Sequence, residues 1–96
     1  MELLTLDHFT GCVNDTFAAH LDGVEVPFVL VEARPLQTKV AGAMRAPFSL
    51  LFRNGSPFLF PQKTYVMRHE RIGEVGIFLV PVAQERQGFL YQAVFN

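Results

Sequence analysis

The sequence predicts an all-β domain, a small six-stranded antiparallel barrel or sandwich preceded by one short amino-terminal helix. Runs rich in Val, Phe, Leu and Tyr alternate with period two, the repeat that sends successive side chains to opposite faces of a strand. Turn-forming strings separate those runs: Asp22-Gly23, Asn54-Gly55-Ser56-Pro57, Ile72-Gly73 and Gln87-Gly88. The connections are short, and a parallel crossover needs a dozen or more residues, so sequential strands should be antiparallel neighbours whose turns alternate between the two ends.

The helix is predicted over residues 6 to 10, because Leu6, Phe9 and Val13 recur at helical spacing, Thr5 can cap its start and Gly11 can end it. From Thr16 to Leu21 the period is two, with Phe17, Ala19 and Leu21 on one face. Asp22-Gly23 supplies the positive φ angles of a type I′ turn and returns the chain as a second strand, Val24 to Arg34. Pro27 has no N–H to donate, so the strand should meet an open edge or a bulge and bend there, and Pro35 should end it. Residues 36 to 46 read as a long mobile loop. A third strand, Phe48 to Arg53, stops at Asn54-Gly55, and Thr64 to His69 is a fourth. Glu74 to Val82, almost wholly apolar after Glu74, reads as a central fifth strand. A polar connection, residues 84 to 88, leads to a sixth from Phe89 to the end.

Composition excludes several classes of function. With 96 residues, half of them apolar, the chain should form one domain with its own core. Its single cysteine, Cys12, cannot close an internal disulfide. Eight basic and nine acidic residues leave no basic stripe for nucleic acid. No apolar run approaches the roughly 20 residues that cross a bilayer as a helix. The start, Met1-Glu2-Leu3-Leu4-Thr5, is acidic and does not read as a secretory signal, so a cytoplasmic, reducing location is expected.

Particular strings carry a resemblance: Val31-Glu32-Ala33-Arg34-Pro35-Leu36, Arg45-Ala46-Pro47-Phe48-Ser49-Leu50-Leu51-Phe52-Arg53 and Pro61-Gln62-Lys63-Thr64-Tyr65. With Phe78-Leu79-Val80-Pro81-Val82 and Tyr91-Gln92-Ala93-Val94-Phe95-Asn96, they resemble an uncharacterised family of small bacterial all-β domains. The resemblance spans nearly the whole chain, from Leu4 to Asn96. It implies no assigned activity, an occurrence near phage-tail or tail-fibre-like proteins, and hence an accessory or structural role. Lys63 stands where the family pattern has Gly, and Gln92 where it has an acidic residue, so no family role is carried to those positions.

Candidate chemistry is sparse. His8 and Cys12 are four apart and could share a helix face as base and nucleophile, although Gly11 interrupts the helix; a buried thiol and a solvated imidazole are the simpler expectation. His20 and Asp22 flank one turn, and His69 and Glu70 another. They could hold zinc only if those turns lay at the same end, so solvated turn residues are expected and no metal or cofactor is assigned. Gly73 and Gly76 make no phosphate loop, and neither Ser49 nor Ser56 sits in a nucleophile elbow. Glu32 should pair across strands with Arg53 or Arg45.

The most informative anomaly is Ser56-Pro57-Phe58-Leu59-Phe60-Pro61, three large apolar residues between prolines where a turn should be polar. Phe58 and Phe60 either fold inward to plug a barrel end or, with Leu59, stand exposed as an interaction surface. The sequence therefore favours a non-enzymatic structural or protein-interaction module that binds a protein partner or itself, with a phage-tail-like assembly as the setting that the resemblance implies. The alternative is a barrel that encloses an apolar small ligand, which requires an interior cavity of roughly 300 Å³ or more.

Overall fold

The computed structural model describes residues 4–36 and 46–96. Its elements, in order, are α1 (Leu6–Thr10), β1 (Thr16–Leu21), β2 (Val24–Pro35), β3 (Phe48–Asn54), β4 (Lys63–His69), β5 (Gly73–Glu85) and β6 (Gly88–Phe95). The strands close into an antiparallel barrel in the order β1-β2-β3-β6-β5-β4, with β4 returning to β1. Most of the predicted loop at residues 36 to 46 lies outside the described residues.

The order departs from a continuous meander. Two three-stranded meanders, β1-β2-β3 and β4-β5-β6, are joined by residues 55–62, which cross one barrel end and carry the chain from β3 to β4. Asp22-Gly23, Ile72-Gly73 and Gln87-Gly88 mark hairpins and Asn54-Gly55-Ser56-Pro57 opens the crossing, but pairing between β3 and β6 and between β4 and β1 is non-local and leaves no turn to read.

Length and bending solve the closure. β2 pairs with β1 through Val24–Val29 and with β3 from Val29 onward, while β5 pairs with β4 up to Leu79 and with β6 from Val80. Each long strand thus serves two partners. The register slips between Leu30 and Glu32 in β2 and between Pro81 and Ala83 in β5, the bulges that bend a strand enough to round a barrel. The expected bend at Pro27 is therefore displaced to Val31. Pro27 instead sits opposite Ala18, just beyond the end of the β2–β3 ladder. There the buried Asn54 amide donates to the Pro27 carbonyl at 2.7 Å and accepts from the Ser56 N–H at 2.9 Å.

Side chains fill the interior. Phe17, Phe28, Leu30, Leu50, Phe52, Tyr65, Met67, Ile77, Leu79 and Tyr91 are almost wholly buried. α1 covers the end where β1, β3 and β5 begin: Phe9 packs against Phe17, Phe48 and Phe95 with ring centroids 5.7 to 6.4 Å apart. Thr5 starts the helix as expected, its N–H bonded to His8 Nδ1 at 2.9 Å, and Gly11 ends it. Closure gives every strand two neighbours, so β5 is no more central than the rest; its outward Phe78 and Val82 are exposed.

The Glu32 pairing differs from expectation. Glu32 bonds Arg34 along its own strand, because the β2–β3 register sets it opposite Leu51. Arg53 lies opposite Val29 and pairs with Glu85 of β5 at 2.7 Å; Arg45 lies outside the described residues.

Where β6 begins, Gly88 has φ +135°, and a Cβ placed there would lie 2.0 Å from the Asn54 carbonyl oxygen. Both the backbone angle and the contact forbid a side chain. Gly88→Ala is expected to cost at least about 3 kcal/mol, since β3 must move to accept it. Urea unfolding checks this, and a loss below about 1 kcal/mol would show that the turn relaxes freely.

Candidate functional site

The two barrel ends carry different chemistry. At the helix-covered end, the thiol of Cys12, a carboxylate oxygen of Asp15 and a ring nitrogen of His69 lie within 4.8 Å of one another. Asp15 is placed by backbone pairing beyond β1: the Asn14 N–H donates to the Leu30 carbonyl, and the Leu30 N–H donates to the Asp15 carbonyl. His69 ends β4, is only 5% exposed, and lies flat against Phe17 with ring centroids 4.6 Å apart.

Hydrogen bonding assigns the His69 tautomer. Nδ1 accepts from the Arg71 N–H at 3.0 Å and the Ile72 N–H at 3.3 Å, so the ring proton sits on Nε2, which donates to Asp15 Oδ2 at 2.9 Å. Bonded in this way, His69 presents Cys12 with no free lone pair to act as its base. Arg71 further supplies a cation of its own. Its Nη2 donates to the Gly11 carbonyl at 2.5 Å and lies 3.7 Å from Cys12 Sγ and 3.5 Å from Asp15 Oδ2. The cluster is a clamp that fastens α1 to the β4–β5 turn.

The sequence-predicted sites fare differently here. α1 ends before Cys12, whose thiol donates to the His8 carbonyl at 3.6 Å rather than meeting the imidazole as a catalytic pair. His20 and Asp22 stand at the opposite barrel end from His69 and Glu70, so those four do not converge. His69 is buried and bonded, not a solvated turn residue. Asp15 and Arg71 escape a sequence reading because Asp15 lies 54 positions from His69 and 56 from Arg71. Beside the clamp is an open cleft of about 490 Å³, lined by Asp7, His8, Cys12, Arg71 and their apolar neighbours.

The other end holds the proline-bounded segment, and its three apolar residues split. Phe60 turns inward against Phe28 and Tyr91, and its N–H donates to the Tyr91 hydroxyl at 2.9 Å. The Tyr65 hydroxyl donates to the Pro61 carbonyl. Burial pushes both phenols above their ordinary pKa, so they remain hydrogen-bonding hydroxyls. Phe58 and Leu59 point outward, 63% and 50% exposed. Local bonds fix that direction: the Phe58 N–H donates to Ser56 Oγ at 3.0 Å, after Ser56 itself is held by Asn54.

Phe58 forms one wall of an open groove of about 530 Å³, with Phe60 and Pro61. Leu21, Val24 and Val26 of the β1–β2 hairpin form the other wall, and Val24 is 61% exposed. The groove continues a seam, since the β1–β4 ladder registers only Ala18 with Arg68 and Ala19 with Met67. Period-two patterning placed Val24 and Val26 in a strand but could not show that they face the Phe58 loop.

Acid titration tests the clamp. The His69 hydrogen bond is the main cause that holds the Asp15 carboxyl below its ordinary 3.8, with Arg71 adding a smaller effect. A depressed carboxylate stabilises the fold above its unfolded pKa and ceases to do so as pH falls through the folded value. Asp15→Asn should therefore melt below wild type near neutral pH, and the gap should close below about pH 3.8. A gap independent of pH would mean that the charge plays no part.

The chain matches the family model described as a domain of unknown function (DUF6916) over residues 4–95. No curated protein and no solved structure matches it. Since that match takes in the helix, all six strands, the clamp and the groove, the chain belongs to the DUF6916 family.

Proposed function

We propose that the domain is a non-enzymatic protein-interaction module that docks through the barrel end bearing Phe58, Leu59 and the inward-turned Phe60. The exposure of Phe58 carries this reading. The chain holds Phe58 in place with a specific turn, yet leaves its outer face in water beside an apolar groove, the arrangement expected of a surface that another molecule covers. Covering such a side chain contributes about 1 to 2 kcal/mol before association entropy is subtracted.

The chemistry at the other end supports the same view, because His69 is bonded to Asp15 and to the backbone rather than serving as a base for Cys12. Among the described residues no helix is long and apolar enough to cross a membrane. The setting we propose is an accessory position in a bacterial phage-tail-like assembly, as the resemblance of the sequence implies, in a reducing cytoplasm that suits a lone thiol. The protein-interaction reading is favoured over the small-ligand one because, among the described residues, side chains fill the barrel interior and the spaces of about 490 and 530 Å³ are open to solvent.

The test separates the two roles in the segment. Phe58→Asp with Leu59→Asp should change stability by no more than about 1 kcal/mol and abolish retention of protein partners by the tagged chain in extracts of its native cell. Phe60→Ala should instead cost about 2 to 3 kcal/mol. Partners retained equally by the folded double variant would place docking elsewhere. If that variant unfolds, Phe58→Ser with Leu59→Ser gives the same comparison with less disturbance.

A further inference from the structure

We propose that the groove receives a second copy of this chain, related by a two-fold axis, so that Asp22 of each copy meets Lys63 of the other. This inference rests on the reading of the barrel end as a docking surface and names its occupant. The groove is apolar along its walls and contains one acid, Asp22 at the hairpin tip, and one base, Lys63 at the start of β4. Among the described residues neither forms an ion pair: the salt bridges join Glu32 to Arg34, Arg53 to Glu85, and Asp15 to His69 and Arg71. The Lys63 ammonium rests over the Tyr65 ring, 5.4 Å from its centre.

A two-fold contact presents the same patch from both sides, so a patch of one charge sign repels its own copy. A patch with one unmatched acid and one unmatched base on opposite walls attracts it, and the two pairs form together. The apolar residues fit the same operation. Phe58 packs edge-on against Phe60, with centroids 5.1 Å apart, and keeps its far side open, while Val24 stands exposed on the facing wall. In the dimer, Phe58 of each copy enters the groove of the other and lies against Val24.

Sedimentation equilibrium of the full chain from about 1 µM to 1 mM tests this. Wild type should show a monomer–dimer equilibrium. Lys63→Glu and Asp22→Lys should each weaken it at least about tenfold, because each variant brings two like charges together twice. Mixing these two variants should restore dimerisation: Asp22 of the first then meets Lys63 of the second, and the glutamate introduced into the first meets the lysine introduced into the second. Phe58→Asp should abolish the dimer with the circular dichroism spectrum unchanged. If the Asp22 variant does not fold, Lys63→Glu and Phe58→Asp decide the outcome alone. A wild-type chain that remains monomeric at 1 mM overturns the proposal and leaves the docking surface to be judged by its own retention experiment. A dimer that withstands Lys63→Glu and Phe58→Asp but dissociates with Phe78→Asp also overturns it, placing the contact on the barrel wall.

Discussion

Closing six strands around a core of aromatic side chains is the constraint from which the rest of this structure follows. A barrel has no free sheet edge, but a small one must tilt and bend its strands to close. Here the bending falls on β2 and β5, the two longest strands, each of which changes partner along its length and slips register where it turns. Both bulges lie in runs of apolar residues, around Val31 and Val82. The same closure leaves β1 and β4 with only two registered pairs, and the groove opens along the continuation of that seam.

A barrel also has two ends, and each must be covered or left wet. The helix end is covered by Phe9, then locked by polar groups whose bonding is complete: Asp15 to His69, His69 to the backbone at 71 and 72, and Arg71 to the helix terminus. Among the described residues no buried side-chain nitrogen or oxygen lacks a partner. Within this latch His69 donates from Nε2 and accepts at Nδ1, so both its nitrogens are engaged. The residue types are those of a reactive site, while the hydrogen bonds are those of a latch.

Much of this architecture was legible from local chemistry. The helix over 6 to 10, the Asp22-Gly23 hairpin and all six strands follow from capping, turn preference and period two, which act within a few residues. What those signals could not convey is which strands pair after residue 54, because β3 with β6 and β4 with β1 are chosen by side-chain packing across the barrel. Pro27 shows the limit well. Its missing N–H called for an open edge or a bulge with a bend at Pro27, but the β1–β2 register runs unbroken past it; Asn54, 27 positions away, donates to its carbonyl just beyond the β2–β3 ladder, and the strand bends at Val31 instead. The clamp was illegible for the same reason: His69 looked like a turn residue until Asp15 and Phe17 were brought against it.

The anomaly at Phe58, Leu59 and Phe60 was readable as an anomaly but not as a division of labour. Prolines on both sides deny the segment a place in the sheet, so its position must come from elsewhere, and two buried tyrosine hydroxyls hold Phe60 and Pro61 from below. While Phe60 is fixed inward, the bend at Pro57 and Phe58, closed by the Phe58 N–H on Ser56 Oγ, turns Phe58 to the outer face. Plugging the barrel and presenting an apolar side chain are then two consequences of one anchored loop. A smaller residue than Phe60 would leave the end open, and a polar residue at Phe58 would leave the plug intact while removing the apolar wall. The groove therefore owes its shape to the core beneath it, and only its outward residues, Phe58 and Val24 among them, can vary without disturbing the barrel.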